Sequence, residues 1–380
     1  MANTQNSMNI CEGTKTHKAL SQLFKIDIDL GSLSYPVYVG AGLLDHAADF
    51  IDLSRAKRAL IVCDSNTASL YSSQVAMSCE AHGILPKIVQ FPAGEQSKTL
   101  KTLETLFAAA SQHEISRDDI FIGLGGGVTT DLTGLCASLW QRGCKVVQIP
   151  TSLLSMVDAS VGGKTAVDTE FGKNMVGTFW QPSCVICDVS CLKTLDDAYF
   201  YDACAEIIKH ACIADPDLFL QLKNCPINPH TYTQDQLICL IARNIEIKRD
   251  FVVGDVRDRA KRQILNFGHT LGHSIEAASN YTKGHGACVG AGMAIITRAA
   301  VKAKLASPSF SSDLDQVLLA HNLPISCDIP SDILSSYAIR DKKASSTTST
   351  CVVVEKPGNP CLVSIHKDQL KKILESGRAK

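Results

Sequence analysis

Three of the chain's eleven histidines crowd into one short stretch: His269 and His273 in Asn266-Phe-Gly-His-Thr-Leu-Gly-His273, and His285 in His285-Gly286. On a helix, residues four apart project from one face, so His269 and His273 could offer imidazole nitrogens to one divalent ion. A lone helical histidine is more often a half-buried core residue than a ligand, and an i, i+4 pair arises readily by chance. Its company raises the metal reading. Upstream, Ala205-Glu206-Ile-Ile-Lys209-His210 sets a carboxylate, an ammonium and another imidazole on neighbouring helical turns. Zinc that does chemistry takes three protein ligands and keeps a position open, and two His with one Glu is such a set. Spacing leaves Glu206, His210, His269, His273 and His285 all as candidates.

A second chemistry is written in Gly123-Leu-Gly125-Gly126-Gly127-Val128, which follows the apolar run 119–122 and enters a helix bearing Leu132, Leu135, Cys136 and Leu139 on one side. Glycines there let backbone approach a phosphate, and the N–H groups at the helix start point at it. The inference is a nucleotide pyrophosphate site, although Val128 occupies the last glycine position of the usual dinucleotide fingerprint and a plain tight turn competes. Val161-Gly162-Gly163-Lys164-Thr165 looks like the end of a triphosphate loop, but Asp158 stands where its first glycine belongs, which excludes that loop. Asp158, Lys164, Lys173 and Asn174 crowd this glycine-rich segment; for any one of them, a solvated loop charge is the simpler account. Lys209, Lys248, Arg262 and Asn266 fall close in sequence to the metal candidates. A metal flanked by cations and amide donors suits a small substrate carrying both phosphate and carboxylate.

These residues need a scaffold. Runs 58–63, 87–91, 119–122, 145–149 and 184–187 read as buried strands, alternating with amphipathic helices such as 99–112 and 131–140. That alternation predicts a mostly parallel sheet, so residues 24–195 are expected to form an α/β nucleotide-binding domain. Beyond it, helical periodicity over 199–214, 235–251, 265–278 and 287–304 predicts a mainly α domain spanning 196–380. Segment 307–313 reads as a helix-to-helix connection, and 345–350 as an exposed loop before a short strand. Residues 1–23 form a polar extension with no run resembling a signal peptide.

At 380 residues the chain exceeds the size of one growing core, which favours two domains. A net charge of -1 gives no support to nucleic-acid or membrane-surface binding. Sixteen cysteines sit singly in apolar segments, the pattern of small buried side chains in a reducing compartment; Cys184-Val-Ile-Cys187 has metal-ligand spacing, but no second pair answers it. A cytoplasmic protein is expected.

Taken in order, Gln148-Ile-Pro-Thr-Ser-Leu-Leu154, Val157-Asp-Ala-Ser-Val-Gly-Gly-Lys-Thr165, Gly172-Lys-Asn-Met-Val-Gly177, Leu192-Lys-Thr-Leu195, Ala205-Glu-Ile-Ile-Lys209 and the histidine motif resemble the 3-dehydroquinate synthase family of sugar-phosphate cyclases. The resemblance runs from Tyr35-Pro-Val-Tyr-Val-Gly40 to Asp341-Lys342-Lys343. It implies an N-terminal α/β NAD domain, a C-terminal α domain with the active site between them, and a homodimer. It implies metal ligands Glu206, His269 and His285, binding zinc or cobalt, with His273 turned to the substrate and His210 outside the set. By the same match, Asp64, Asn66, Glu95, Lys98, Gly126, Gly127, Val128, Asp131, Thr151, Ser152, Lys164, Lys173 and Thr194 would contact NAD. Asp158, Lys164, Lys173, Asn174, Lys209, Lys248, Arg262, Asn266, His273 and Lys342 would line the substrate pocket, and Arg142 would reach a neighbouring subunit's substrate phosphate.

The implied reaction turns 3-deoxy-D-arabino-heptulosonate 7-phosphate into 3-dehydroquinate and phosphate. NAD oxidises a ring hydroxyl, the ketone acidifies the adjacent C–H, phosphate leaves with its own oxygen as base, hydride returns, and an intramolecular aldol closes the carbocycle. The chain departs from the family pattern at Thr129-Thr130, at Trp140-Gln141 and after Lys343, where a glycine is missing. Other sugar-phosphate cyclases, a metal-dependent glycerol dehydrogenase and a catalytically inactive NAD-binding regulator are the competing readings.

Overall fold

The computed structural model describes residues 22–340 and 347–378. Nine strands and three helices occupy the first half: β1 (Phe24–Ile28), β2 (Tyr35–Gly40), β3 (Arg58–Asp64), α1 (Ser65–Ala81), β4 (Leu85–Phe91), α2 (Leu100–Gln112), β5 (Ile120–Gly125), α3 (Gly127–Leu139), β6 (Lys145–Pro150), β7 (Lys164–Thr169), β8 (Gly172–Phe179) and β9 (Cys184–Asp188). The main sheet has the order β1-β2-β9-β6-β5-β3-β4. Every pairing in it is parallel except β1 with β2.

A strand covered on both faces reads as a continuous apolar run, and β3 shows why. Its Leu60 and Val62 pack with Leu103, Leu106, Leu132 and Leu135 of α2 and α3. Its Ala59, Ile61 and Cys63 join Val75, Ala76 and Cys79 of α1 on the opposite face, as a period of two demands. Cys184 and Cys187 are buried in the sheet rather than paired for a metal.

The second half contributes α4 (Asp197–Ala214), α5 (Pro216–Asn224), α6 (Gln234–Val252), α7 (His269–Ala278), α8 (His285–Lys302), α9 (Pro308–Ala320), α10 (Ser331–Arg340), the antiparallel pair β10 (Thr348–Val354) and β11 (Pro360–His366), and α11 (Leu370–Gly377). Helix α6 packs on β1 and β2, and one apolar cluster runs from the α1 face of the sheet through Ile241, Ile245 and Phe267 into the helices. Helices α7 and α8 approach at backbone contact. A Cβ on Gly292 would lie 2.2 Å from the Gly268 carbonyl oxygen, and one on Gly272 would lie 3.0 Å from the Val289 Cα.

Four expectations about elements change. The helix expected over 265–278 is a 3-10 turn, Lys261–Asn266, then α7, because Gly268 adopts the left-handed conformation (φ +80°) and interrupts the spiral. Segment 307–313 is no connection: Ser307 caps α9 through the Phe310 N–H, and Pro308 opens the helix, where its missing N–H costs nothing. Of 345–350, residues 348–350 belong to β10, whose pairing with β11 overrides the polar composition, and 345–346 lie outside the described residues. Finally, the charged segment between β6 and β9 is not a loop but the β7–β8 hairpin.

Candidate active site

Chain order places β4 on one side of β3 and β5 on the other, so the order in which the chain adds strands reverses between β3 and β5. In open α/β sheets such a switch point leaves a crevice at the carboxyl ends of the strands, where nucleotides bind. Of the residues expected to contact NAD, all but Lys164 and Lys173, which lie on the β7–β8 hairpin, stand at the carboxyl ends of sheet strands. Asp64 and Asn66 follow β3, Glu95 and Lys98 follow β4, Gly126 to Asp131 follow β5, Thr151 and Ser152 follow β6, and Thr194 follows β9. Gly126 is the N-cap of α3, and a Cβ on Gly126 or Gly127 would meet nothing nearer than 3.6 or 3.5 Å. The chain's own packing therefore does not demand these glycines; they leave open the start of α3, whose unpaired N–H groups suit a pyrophosphate.

Several of these side chains already have structural work. Asp64 Oδ1 accepts the Asn66 and Thr67 N–H groups as the cap of α1. Lys98 pairs with Asp131 at 2.6 Å and donates to Asn174 Oδ1 at 2.6 Å. Burial raises the Asp131 carboxyl to about 6 despite the opposing Lys98. Thr129 is buried, and its hydroxyl lies 3.5 Å from Asp64 Oδ2, so the Thr129-Thr130 departure is absorbed at the contact between α3 and the end of β3.

The metal candidates converge from three helices. Glu206 on α4 is fully buried; its Oε2 accepts from Lys209, while its Oε1 has no hydrogen-bond partner. That orphaned oxygen lies 3.4 Å from His269 Nε2 and 3.5 Å from His285 Nε2. Burial would raise the Glu206 carboxyl, but Lys209, His269 and His285 outweigh it and hold it well below the usual range. His269 Nδ1 sits 3.2 Å from the Phe267 carbonyl, which can only accept, so Nδ1 carries the hydrogen and Nε2 turns a lone pair toward Glu206. Burial pushes this imidazole down to about 3, whereas His285, which burial would also lower, is pushed up to about 10 by the carboxylates of Glu206 and Glu276. A lone pair facing an anionic oxygen is repulsive, and a cation between them removes the conflict. The donor set fits a divalent metal.

Two rival triads are geometrically close: His273, Glu276 and His285, and Asp158, Glu206 and His210. In the first, Glu276 is already engaged by Lys173 and His285 Nδ1. In the second, Lys248 holds Asp158 at 2.5 Å, and His210 Nδ1 is 3.0 Å from Asn244 Oδ1. His269 and His273 do share a helix face, with ring centroids 5.4 Å apart, yet His273 is the exposed member.

Around the triad lies a cluster of cations. Lys209, Lys248 and Arg262 are buried. Asp158 and Glu206 outweigh burial to raise Lys209. Burial, reinforced by Arg262 and Lys209, lowers Lys248 to about 8 against the pull of Asp158. Arg262 Nη1 donates to the Gly162 and Val256 carbonyls, fastening the 3-10 turn before α7 to the loop before β7. Lys164 pairs with Asp258 at the rim, and Asn266 lines a cavity with Asp258, Gln263, Thr350 and Val352.

Sequence profiles described as 3-dehydroquinate synthase N-terminal and C-terminal match residues 88–202 and 203–344. A 3-dehydroquinate synthase from Shewanella sp. (strain MR-4) is 39% identical over 322 residues, covering 84% of this chain and 89% of that protein. The chain belongs to the 3-dehydroquinate synthase family. The fold is that of the wider group. A 2-deoxy-scyllo-inosose synthase, complexed with carbaglucose-6-phosphate, NAD+ and Co2+, superposes with TM-score 0.84 at 23% identity, covering 93% of this chain and 100% of that one. A 2-epi-5-epi-valiolone synthase from Streptomyces hygroscopicus subsp. jinggangensis 5008, with NAD+ and Zn2+ bound, gives 0.82 at 26% identity over 90% and 96% of the two chains.

Against this family background, two expected residues stand apart from the rest. Arg142 is exposed at the amino end of β6, with Gln141 and Arg142 at φ +47° and +68°. The strand's 6 residues separate it from its own crevice by about 20 Å. Lys342 lies outside the described residues. Sequence reasoning missed Asp202, Asp258 and Glu276. Asp202, one turn before Glu206 on α4, accepts the Gly286 and Ala287 N–H groups at 2.8 Å each and so fastens the start of α8 beside the carboxylate. Glu276, seven residues after His269, was legible as lying on the same helical face.

Proposed function

We propose that this chain is a 3-dehydroquinate synthase in activity as well as in family, converting 3-deoxy-D-arabino-heptulosonate 7-phosphate into 3-dehydroquinate and phosphate. The observation that carries the reading is the orphaned Glu206 Oε1 facing two imidazole Nε2 atoms, set beside buried Lys209, Lys248 and Arg262. Glu206, His269 and His285 would hold a divalent zinc or cobalt ion. The nucleotide crevice, with Gly126, Gly127 and the start of α3, would hold NAD. A metal held by the triad would supply Lewis acidity toward the hydroxyl to be oxidised, and a nicotinamide in the crevice would supply a reversible hydride acceptor.

The chain's own residues do the rest by placement. Lys209, Lys248, Arg262 and Lys164 attract and fix the anionic ends of the substrate, with Asn174, Asn266 and His273 as polar contacts. Asp158 opposes the burial that lowers Lys248, and Glu206 with Asp158 keeps Lys209 charged. Orientation in a water-poor cluster, rather than many acid–base groups, carries much of the rate.

A second copy fits two features. The β7–β8 hairpin exposes Phe171, Met175, Val176 and Phe179, an apolar strip that another surface would cover. Arg142, turned from its own crevice on a backbone with positive φ, suits a role across that interface. Most of the described cysteines are buried and all are free, which suits a reducing compartment such as the cytoplasm. No helix among the described residues is long and apolar enough to cross a membrane.

The test is direct. Purified protein with NAD and zinc should release phosphate from the heptulosonate and form 3-dehydroquinate, and a chelator should abolish turnover. Turnover of a C7 sugar phosphate lacking the carboxylate, with none of the heptulosonate, would overturn the reading in favour of another cyclase.

A further inference from the structure

We infer that Glu276 is a positioning residue: it orients His285 toward Glu206, sets how tightly the triad grips a divalent cation, and is itself held from the other half of the chain by Lys173. The inference rests on the metal reading above. Glu276 is buried on α7. Its Oε2 faces His285 Nδ1 at 3.4 Å, and its Oε1 accepts from Lys173 Nζ at 2.8 Å. Lys173 projects from β8, lies 3.1 Å from Glu95 Oε1 and sits 4.8 Å above the Tyr281 ring.

The two nitrogens of His285 thus face two different carboxylates, Nε2 toward Glu206 and Nδ1 toward Glu276. A cation can be held at Nε2 only if that nitrogen presents a lone pair, so the ring hydrogen must sit on Nδ1. A carboxylate at Nδ1 accepts that hydrogen, fixes the tautomer and the ring plane, and makes Nε2 a better donor. His269 has the same support from the Phe267 carbonyl. His285 opens α8, and the corresponding support at its Nδ1 comes from a side chain of α7. Lys173 then does for Glu276 what Glu276 does for His285, linking the segment after β4 through Glu95 to the metal site.

The experiment measures zinc affinity by competition with a chromophoric chelator, and the visible ligand-field bands of the Co2+-loaded protein. Glu276→Gln keeps the shape and loses the charge. It should weaken zinc binding by about 10–100-fold and shift the Co2+ bands. Should the ammonium of Lys173, left beside a neutral amide, prevent folding, Lys173→Met/Glu276→Gln removes both charges and should show the same weakening. A zinc dissociation constant within twofold of the parent in the folded variant, or a variant that melts earlier while its Co2+ spectrum is unchanged, overturns the inference. A parent protein that binds no divalent metal overturns the metal reading instead, so the two failures are distinguishable.

Discussion

Glu206 faces the buried Lys209 with one oxygen and two imidazoles with the other, and its replacement should separate the two roles. Glu206 is 0% and Lys209 1% exposed, and the two are paired. Glu206→Gln leaves the Lys209 ammonium buried without its paired carboxylate, with Asp158 as its remaining counter-charge. Breaking a buried pair from one side costs about 3–5 kcal/mol. At roughly 2–4 °C per kcal/mol for a cooperative unit the size of the helical half, the metal-free protein should melt about 6–20 °C lower. Glu206→Gln/Lys209→Met removes both charges, and replacing a whole buried pair by neutral groups is close to neutral, so this double variant should recover most of the loss. Neither variant should bind zinc, because the orphaned Oε1 that faces His269 and His285 is no longer anionic. Thermal melts in a chelating buffer and zinc content after dialysis read the two effects independently. A single variant as stable as the parent, a double variant no more stable than the single one, or retained zinc in either would refute the reasoning.

Three further outcomes follow from the same geometry. His269→Ala should weaken zinc binding by more than the about 100-fold that marks the loss of an outer-shell partner, while His273→Ala should change it by less than tenfold; equal losses in chelator competition would contradict the assigned triad. Lys164→Ala should lower turnover by about 100-fold or more yet shift unfolding by no more than about 1 kcal/mol, since its pair with Asp258 is half-exposed; wild-type turnover would remove Lys164 from the pocket. Lys248, lowered to about 8, is cationic below that pH and neutral above it, so capture of an anionic substrate is complete at neutral pH and lost as pH rises through about 8. The profile of kcat/KM, which reports the free enzyme, should fall above that value; a flat profile to pH 10 would refute the role.

Much of the scaffold was legible because local periodicity encodes it. Continuous apolar runs mark strands covered on both faces, and the glycines after 119–122 mark a turn into a helix whatever the rest of the chain does. The failures were of tertiary origin. The hairpin Lys164–Phe179 reads as a charged glycine-rich loop because several of its apolar residues lie on a surface that the described residues leave exposed. Arg142 carries no sign in its neighbours that it lies at the wrong end of β6 for its own crevice.

The histidine motif shows the division most clearly. From residue types alone it was evident that imidazoles, carboxylates and ammonium groups of one chemistry occur in Ala205 to His210 and Asn266 to His285. Helical spacing then displayed only partnerships within one helix, His269 with His273 and Glu206 with His210. The fold pairs His269 with His285 and Glu206 instead, because Gly272 and Gly292 let α7 and α8 close to backbone contact, and Asp202 fastens the start of α8 to α4. A metal site joins atoms a few ångströms apart across different helices, so its membership is a property of how helices cross. Residue chemistry is local to the sequence; the convergence of three donors is made only by packing.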